Sequence, residues 1–150
     1  ILFIFPSLFV VILGPAFISI METFAKDDML MQKHPLSLLN AQGDFLFSPL
    51  FCADSFMSRF RGLMLCPPEK KCGLILIPCN SIHTFCMRFP LDIFFLNDEC
   101  RILCVRWNLS PWRCSWCPGA SMVVECPAGE IPHKRIEIGS KIIFKKISSS

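Results

Sequence analysis

Apolar and polar positions fall into short runs separated by turn residues, and that pattern predicts a strand-rich domain beginning near Phe45. LFSPLFCAD, from Leu46, reads as a first strand or hairpin, with Pro49 restricting it to an edge or a break because proline cannot donate to a ladder. Phe56, Phe60 and Leu63 then recur at i, i+4 and i+7 beside Met57 and Met64, an apolar stripe that Asp54 or Ser55 can cap, so one amphipathic helix is expected. GLILIP, from Gly73, is too short for a typical helix and rich in branched aliphatics, which predicts a buried strand. Strands follow within Ile82 to Phe89, Leu91 to Leu96 and Arg101 to Trp107, the last two joined by Asn97, Asp98 and Glu99 as a hairpin. SMVVEC from Ser121 reads as a strand, AGEIPHKRI as a short helical turn, and KIIF from Lys141 as a closing strand after Gly139 and Ser140. Short connections favour antiparallel pairing. The predicted class is therefore α+β and mostly β: a small antiparallel sheet or barrel-like domain with one or two short helices.

The chain divides accordingly into an apolar leader at 1–21, a linker at 22–44, the β-rich domain at 45–146 and a tail at 147–150. Ile1 to Met21 holds no charged side chain. About 20 helical residues cross a bilayer core, so the run predicts membrane association as an anchor, or export as a signal segment. The alternative is an apolar helix packed on the domain, with a cytoplasmic location. The linker mixes charges with Pro35, Asn40 and Gly43 and has no sustained period. No repeat is visible, which excludes solenoids and propellers.

Composition narrows the function. Hydrophobic residues make up 53% and charged residues 18%, too apolar for a disordered chain. The net charge of +3 is scattered, whereas nucleic-acid binding needs a concentrated basic face, so no nucleic acid is expected as a partner. Seven widely separated glycines build no phosphate-cradling loop and no dinucleotide fingerprint appears, so no cofactor is expected.

Six separated pieces carry a family resemblance: RGLM at Arg61 to Met64, the CGLILIP strand, SIHTFCMRFPLDIFFL from Ser81, LSPWR ending at Arg113, GA at Gly119, and VECPAGEI from Val124. In order and spacing the chain from Phe45 to Phe144 resembles the domain of unknown function 192 family. The resemblance implies a small β-rich α+β domain, found in bacteria and archaea in soluble and exported versions, and it implies no established reaction. The chain departs from the family pattern at IGSKI, where Gly-Asp is common, and at Cys86.

The sharpest chemical feature is a polar set inside apolar strand: His83, Thr84, Arg88 and Asp92. Buried charge is costly unless paired, so Arg88 and Asp92 should each meet a partner, a ligand or a water-filled cleft. In a continuous strand they would lie roughly 13 Å apart, too far for an ion pair unless the chain bends at Pro90. Otherwise Glu125, Arg61 and Arg113 are the cross-strand candidates. A pocket would let His83 act as acid or base and an arginine hold an anion. A structural network would instead fix strand register, and without a nucleophile at interpretable spacing the structural reading leads.

Ten cysteines suit disulfides in an exported chain, and buried thiols or metal ligands in a reducing compartment. Cys114 and Cys117 form C-x-x-C, half a zinc site or a redox pair, though Pro118 and Gly119 deny it the helix a thioredoxin-like site needs. No metal is expected as the leading reading. Trp107, Trp112 and Trp116 around Pro111 read as a packed corner, or as a stacking platform for a sugar or base. The leading expectation is a small non-enzymatic binding or accessory domain of the cell envelope. The alternatives are a hydrolase or lyase acting on an anionic substrate through His83, Arg88 and Asp92, and a metal or thiol site at Cys114 and Cys117.

Overall fold

The computed structural model describes residues 35–54, 59, 62–63 and 69–147. In chain order these form β1 (Leu36–Leu39), β2 (Phe45–Ala53), β3 (Gly73–Leu76), β4 (Ser81–His83), β5 (Leu91–Leu96), β6 (Ile102–Leu109), β7 (Cys114–Trp116), β8 (Met122–Pro127) and β9 (Ile143–Lys146), with a 3-10 turn at His133–Arg135. Seven strands make one sheet in the order β6-β5-β8-β3-β2-β1-β9, while β4 and β7 pair separately.

All six residues of β5 are buried, because β6 and β8 flank it and both of its faces are covered. Phe94, Leu96, Val124, Cys126, Ile75, Leu50 and Phe47 pack together in the core cluster. The alternate residues Leu91, Ile93, Phe95, Leu74, Leu76 and Val123 are also buried, and strand alternation turns them to the opposite face.

The expected antiparallel sheet is a mixed one. β2 and β3 run parallel, Leu50 opposite Gly73 through Ala53 opposite Leu76, which requires the crossover 54–72. Pro49 lies neither on an edge strand nor at a strand break. It sits inside β2, where the pairing with β1 slips between Leu38 opposite Phe47 and Leu36 opposite Leu50. Three steps along β2 there match two along β1, so the proline occupies a bulge, a place in a sheet where a missing N–H is tolerated.

The strand Leu36–Leu39 falls within the stretch read as a linker, and it pairs with β2 on one side and β9 on the other. The barrel-like alternative is not realised as a closed ladder. The two sheet edges meet through one isolated bridge, Arg101 with Lys141, reinforced where Ile102 N–H donates to Ser140 O at 3.0 Å and Gly139 N–H donates to Ile102 O at 2.7 Å. Helix is sparser than expected: Arg59 is helical, but most of the amphipathic stripe at 56–64 lies outside the described residues, and the turn predicted within AGEIPHKRI is the 3-10 segment. The strand expected within Ile82 to Phe89 stops at His83, because Met87 N–H donates back to Thr84 O at 3.3 Å and Cys86 takes a φ of 60°, closing a turn. The leader lies outside the described residues, among which no helix is long and apolar enough to cross a membrane.

Gly73 opens β3 where the strands crowd. A Cβ there would lie 2.5 Å from Leu50 Cδ2 and 2.6 Å from Glu125 O, the second a backbone atom that cannot rotate away. Gly73→Ala is therefore expected to destabilise the domain by about 1–3 kcal/mol, read as a lowered urea midpoint at unchanged m-value.

Candidate functional site

Thr84 organises the region in which the family block meets the LSPWR turn. It is fully buried, and its hydroxyl donates to Ser110 O at 2.7 Å while accepting from Arg113 N–H at 2.9 Å. Its backbone N–H donates to Arg113 O at 2.8 Å, and its carbonyl accepts from Trp112 N–H at 3.0 Å. One threonine thus holds the loop from Ser110 to Arg113 against the end of β4. Trp112 sits in that loop with a φ of 64°, a left-handed conformation costly for a bulky residue and tolerated because the Thr84 bonds fix the backbone on either side.

The result is an exposed aromatic face. In the β4–β7 pair, Ser81 lies opposite Trp116 and His83 opposite Cys114, so alternation places these four on one side, with Ile82 and Ser115 buried on the other. His83 stacks on Phe85 at 5.2 Å and 21°, and Phe85 meets Trp112 at 5.6 Å. Trp112 and Trp116 are 59% and 56% exposed. Trp107 belongs elsewhere: it packs edge-on to Phe94 at 5.4 Å and stacks on His133 at 3.8 Å. The three tryptophans are therefore not one packed corner.

Asp92 has a different task. It is 1% exposed, and its two oxygens accept from Asn108 N–H at 2.8 Å and Gly129 N–H at 3.1 Å. Trp107 and Asn108 together oppose this single β5 residue, forming a β-bulge in which Asn108 adopts a φ of 51°. The carboxylate satisfies the bulge amide and ties the loop after β8 to β5. Arg88, expected to be embedded, is exposed, because the turn after Thr84 carries it out of the strand. Arg113 is exposed as well, and its backbone rather than its guanidinium serves Thr84. Arg61 lies outside the described residues.

Glu125 occupies a third place, on β8 beneath Gly62 and Leu63. It is 2% exposed, and its Oε2 has no hydrogen-bond partner among the described residues. A Cβ on Gly62, whose φ is 52°, would lie 3.0 Å from that oxygen. Burial pushes the carboxyl up from its ordinary 4.5 to about 7, against the smaller opposing effect of a hydrogen bond from the Leu63 backbone. Nearby, Arg59 donates to the carbonyls of Asp54 and Ile77, the latter at 3.1 Å, linking the ends of β2 and β3. Neither the orphaned oxygen nor the Arg59 clasp carries a signal in the sequence pattern.

The C-x-x-C residues do not act as a pair. Cys117 is bonded to Cys104 of β6, with 6.4 Å between their Cα atoms, and Cys114 is a free thiol. Burial raises the thiol pKa of Cys79, Cys86 and Cys114, which lowers the thiolate fraction a nucleophile or metal ligand needs. Among the described residues no group of three or more His, Cys, Asp or Glu side chains is placed to hold a metal ion.

The family model described as "Uncharacterized ACR", domain of unknown function 192, matches residues 39–144. The chain belongs to that family. A "UPF0127 protein" of Thermococcus sibiricus is 35% identical over 97 residues, covering 60% of this chain and 62% of the relative, so the chain spans less than two thirds of that relative's length. A Pyrococcus furiosus UPF0127 protein is 30% identical over 102 residues, 63% of this chain and 85% of the relative. The domain of unknown function 192 fold is similar to a crystal structure of a protein of unknown function from Novosphingobium aromaticivorans, with a TM-score of 0.62 and 20% identity over 73% of this chain and 83% of that one. That likeness concerns the fold alone.

The two buried carboxylates should respond differently to replacement. Asp92→Ala leaves two backbone amides without acceptors and is expected to cost about 2–5 kcal/mol in chemical denaturation, whereas Asp92→Asn, which keeps one acceptor, should cost less. For Glu125, the folded state favours the neutral form. Its contribution to stability is full below about pH 4.5 and is lost as pH rises through about 7, a decline on the order of 3 kcal/mol. Glu125→Gln should flatten this dependence in denaturation curves measured across that window.

Proposed function

We propose that this domain is a small non-enzymatic binding module of the cell envelope, holding an acidic saccharide on the outer face of β4 and β7. The observation that carries the reading is the run of ring contacts from half-buried His83 and Phe85 to exposed Trp112 in the adjoining loop, with exposed Trp116 on the sheet that holds His83. Flat aromatic faces at the surface suit sugar rings, which present C–H groups to a π-face. No Asp or Glu occurs in residues 81–91 or 109–124, while Arg88 and Arg113 are exposed on the adjoining segments. That balance favours an anionic ligand. The uncharged leader and the Cys104–Cys117 disulfide support a location in the envelope, where disulfides persist.

The geometry gives the hydrolase or lyase alternative less support, since Asp92 commits both oxygens to backbone amides rather than to a reacting group. The test is a tryptophan-fluorescence titration with trigalacturonate and, as the neutral comparison, maltotriose. Trigalacturonate should bind more tightly, Trp112→Ala should weaken it by roughly tenfold or more, and Arg88→Ala should narrow the difference between the two sugars. Equal binding by wild type and Trp112→Ala would overturn the reading.

A further inference from the structure

We infer that the face on which β2, β1 and β9 lie side by side is a docking face for a bilayer surface bearing anionic headgroups. In the register of these strands Leu39 lies between Phe45 and Ile143, and Ser37 is opposite Lys145. Leu38 and Ile142 belong to the core, so alternation directs Leu39 and Ile143 outward. Phe45 is 56% exposed, Ile143 38% and Ile147 41%, an apolar strip that the folded domain leaves uncovered.

Basic residues dominate the segments that carry this strip. Across 35–45 and 134–147, Lys134, Arg135, Lys141, Lys145 and Lys146 stand against Asp44 and Glu137, five cationic side chains against two anionic ones. Arg135 reaches the strip directly, its guanidinium donating to Phe45 O at 3.0 Å, while Asp44 is engaged by Asn40 Nδ2 at 3.0 Å. Apolar side chains accompanied by lysine and arginine fit a surface with an apolar interior and anionic headgroups. A second copy fits less well, because edge-to-edge pairing of β9 would bring two Lys145–Lys146 pairs together. This face is separate from the aromatic one and does not depend on the saccharide reading.

The experiment is flotation of the full chain with vesicles of phosphatidylcholine alone and of phosphatidylcholine mixed with phosphatidylglycerol, at low and high salt. The expected result is a salt-sensitive preference for the anionic vesicles, reduced on the order of tenfold in a Lys145→Gln, Lys146→Gln variant. Phe45→Ser should lower the binding that survives high salt, and Trp112→Ala should leave the preference unchanged. Equal flotation on both vesicles, or an undiminished preference in the double-lysine variant, would overturn the inference. So would dimerisation in solution that Ile143→Asn abolishes, which would give the face to a second copy.

Discussion

The carboxylate of Asp92 is the constraint on which the arrangement depends. It sits at the second position of the most buried strand and cannot be solvated, so it must take its hydrogen bonds from the chain around it. It takes one from each side, from Asn108 on β6 and from Gly129 beyond β8. The first bond holds a bulge that shifts the end of β6 by one residue. That shift sets where the chain leaves the sheet, and the segment that leaves is the one Thr84 captures. A buried acid and a buried hydroxyl, neither facing solvent, together position an aromatic surface that does.

The two carboxylates of the interior show how environment separates residues of the same charge class. Asp92 has an amide for each oxygen, whereas Glu125 has an oxygen with no partner among the described residues and a carboxyl that holds its proton toward neutrality. The first acts as a fixed acceptor. The second makes the packing beneath Gly62 and Leu63 sensitive to proton activity.

Much of the sheet is legible in the apolar pattern. That pattern bounds Leu91–Leu96 at its true ends and locates the strands near Gly73, Ser121 and Lys141, because continuous apolar runs bounded by turn residues have few other folded uses. It does not reveal the strand Leu36–Leu39, since four residues among polar neighbours carry too short a signal, and the parallel pairing of β2 with β3 is a long-range choice that no local period encodes. Thr84 and Asp92 stand out as polar residues in an apolar setting, but their partners do not. Those partners are backbone groups of Ser110 to Arg113, Asn108 and Gly129, and backbone groups leave no mark on side-chain chemistry. Arg88 reads as embedded only because a turn closed by Met87 N–H interrupts what looks like continuous strand.

The pairing of β1 with β9 joins Leu36 to Lys146, strands from opposite ends of the described chain. The sheet therefore cannot finish assembling until nearly all of the domain has been synthesised, and its closing contact is among the most distant in sequence. A nascent chain lacking β9 leaves the outer edge of β1 unpaired, so until β9 emerges from the ribosome the exposed edge is the apolar strand Leu36–Leu39 and not the lysine-bearing β9.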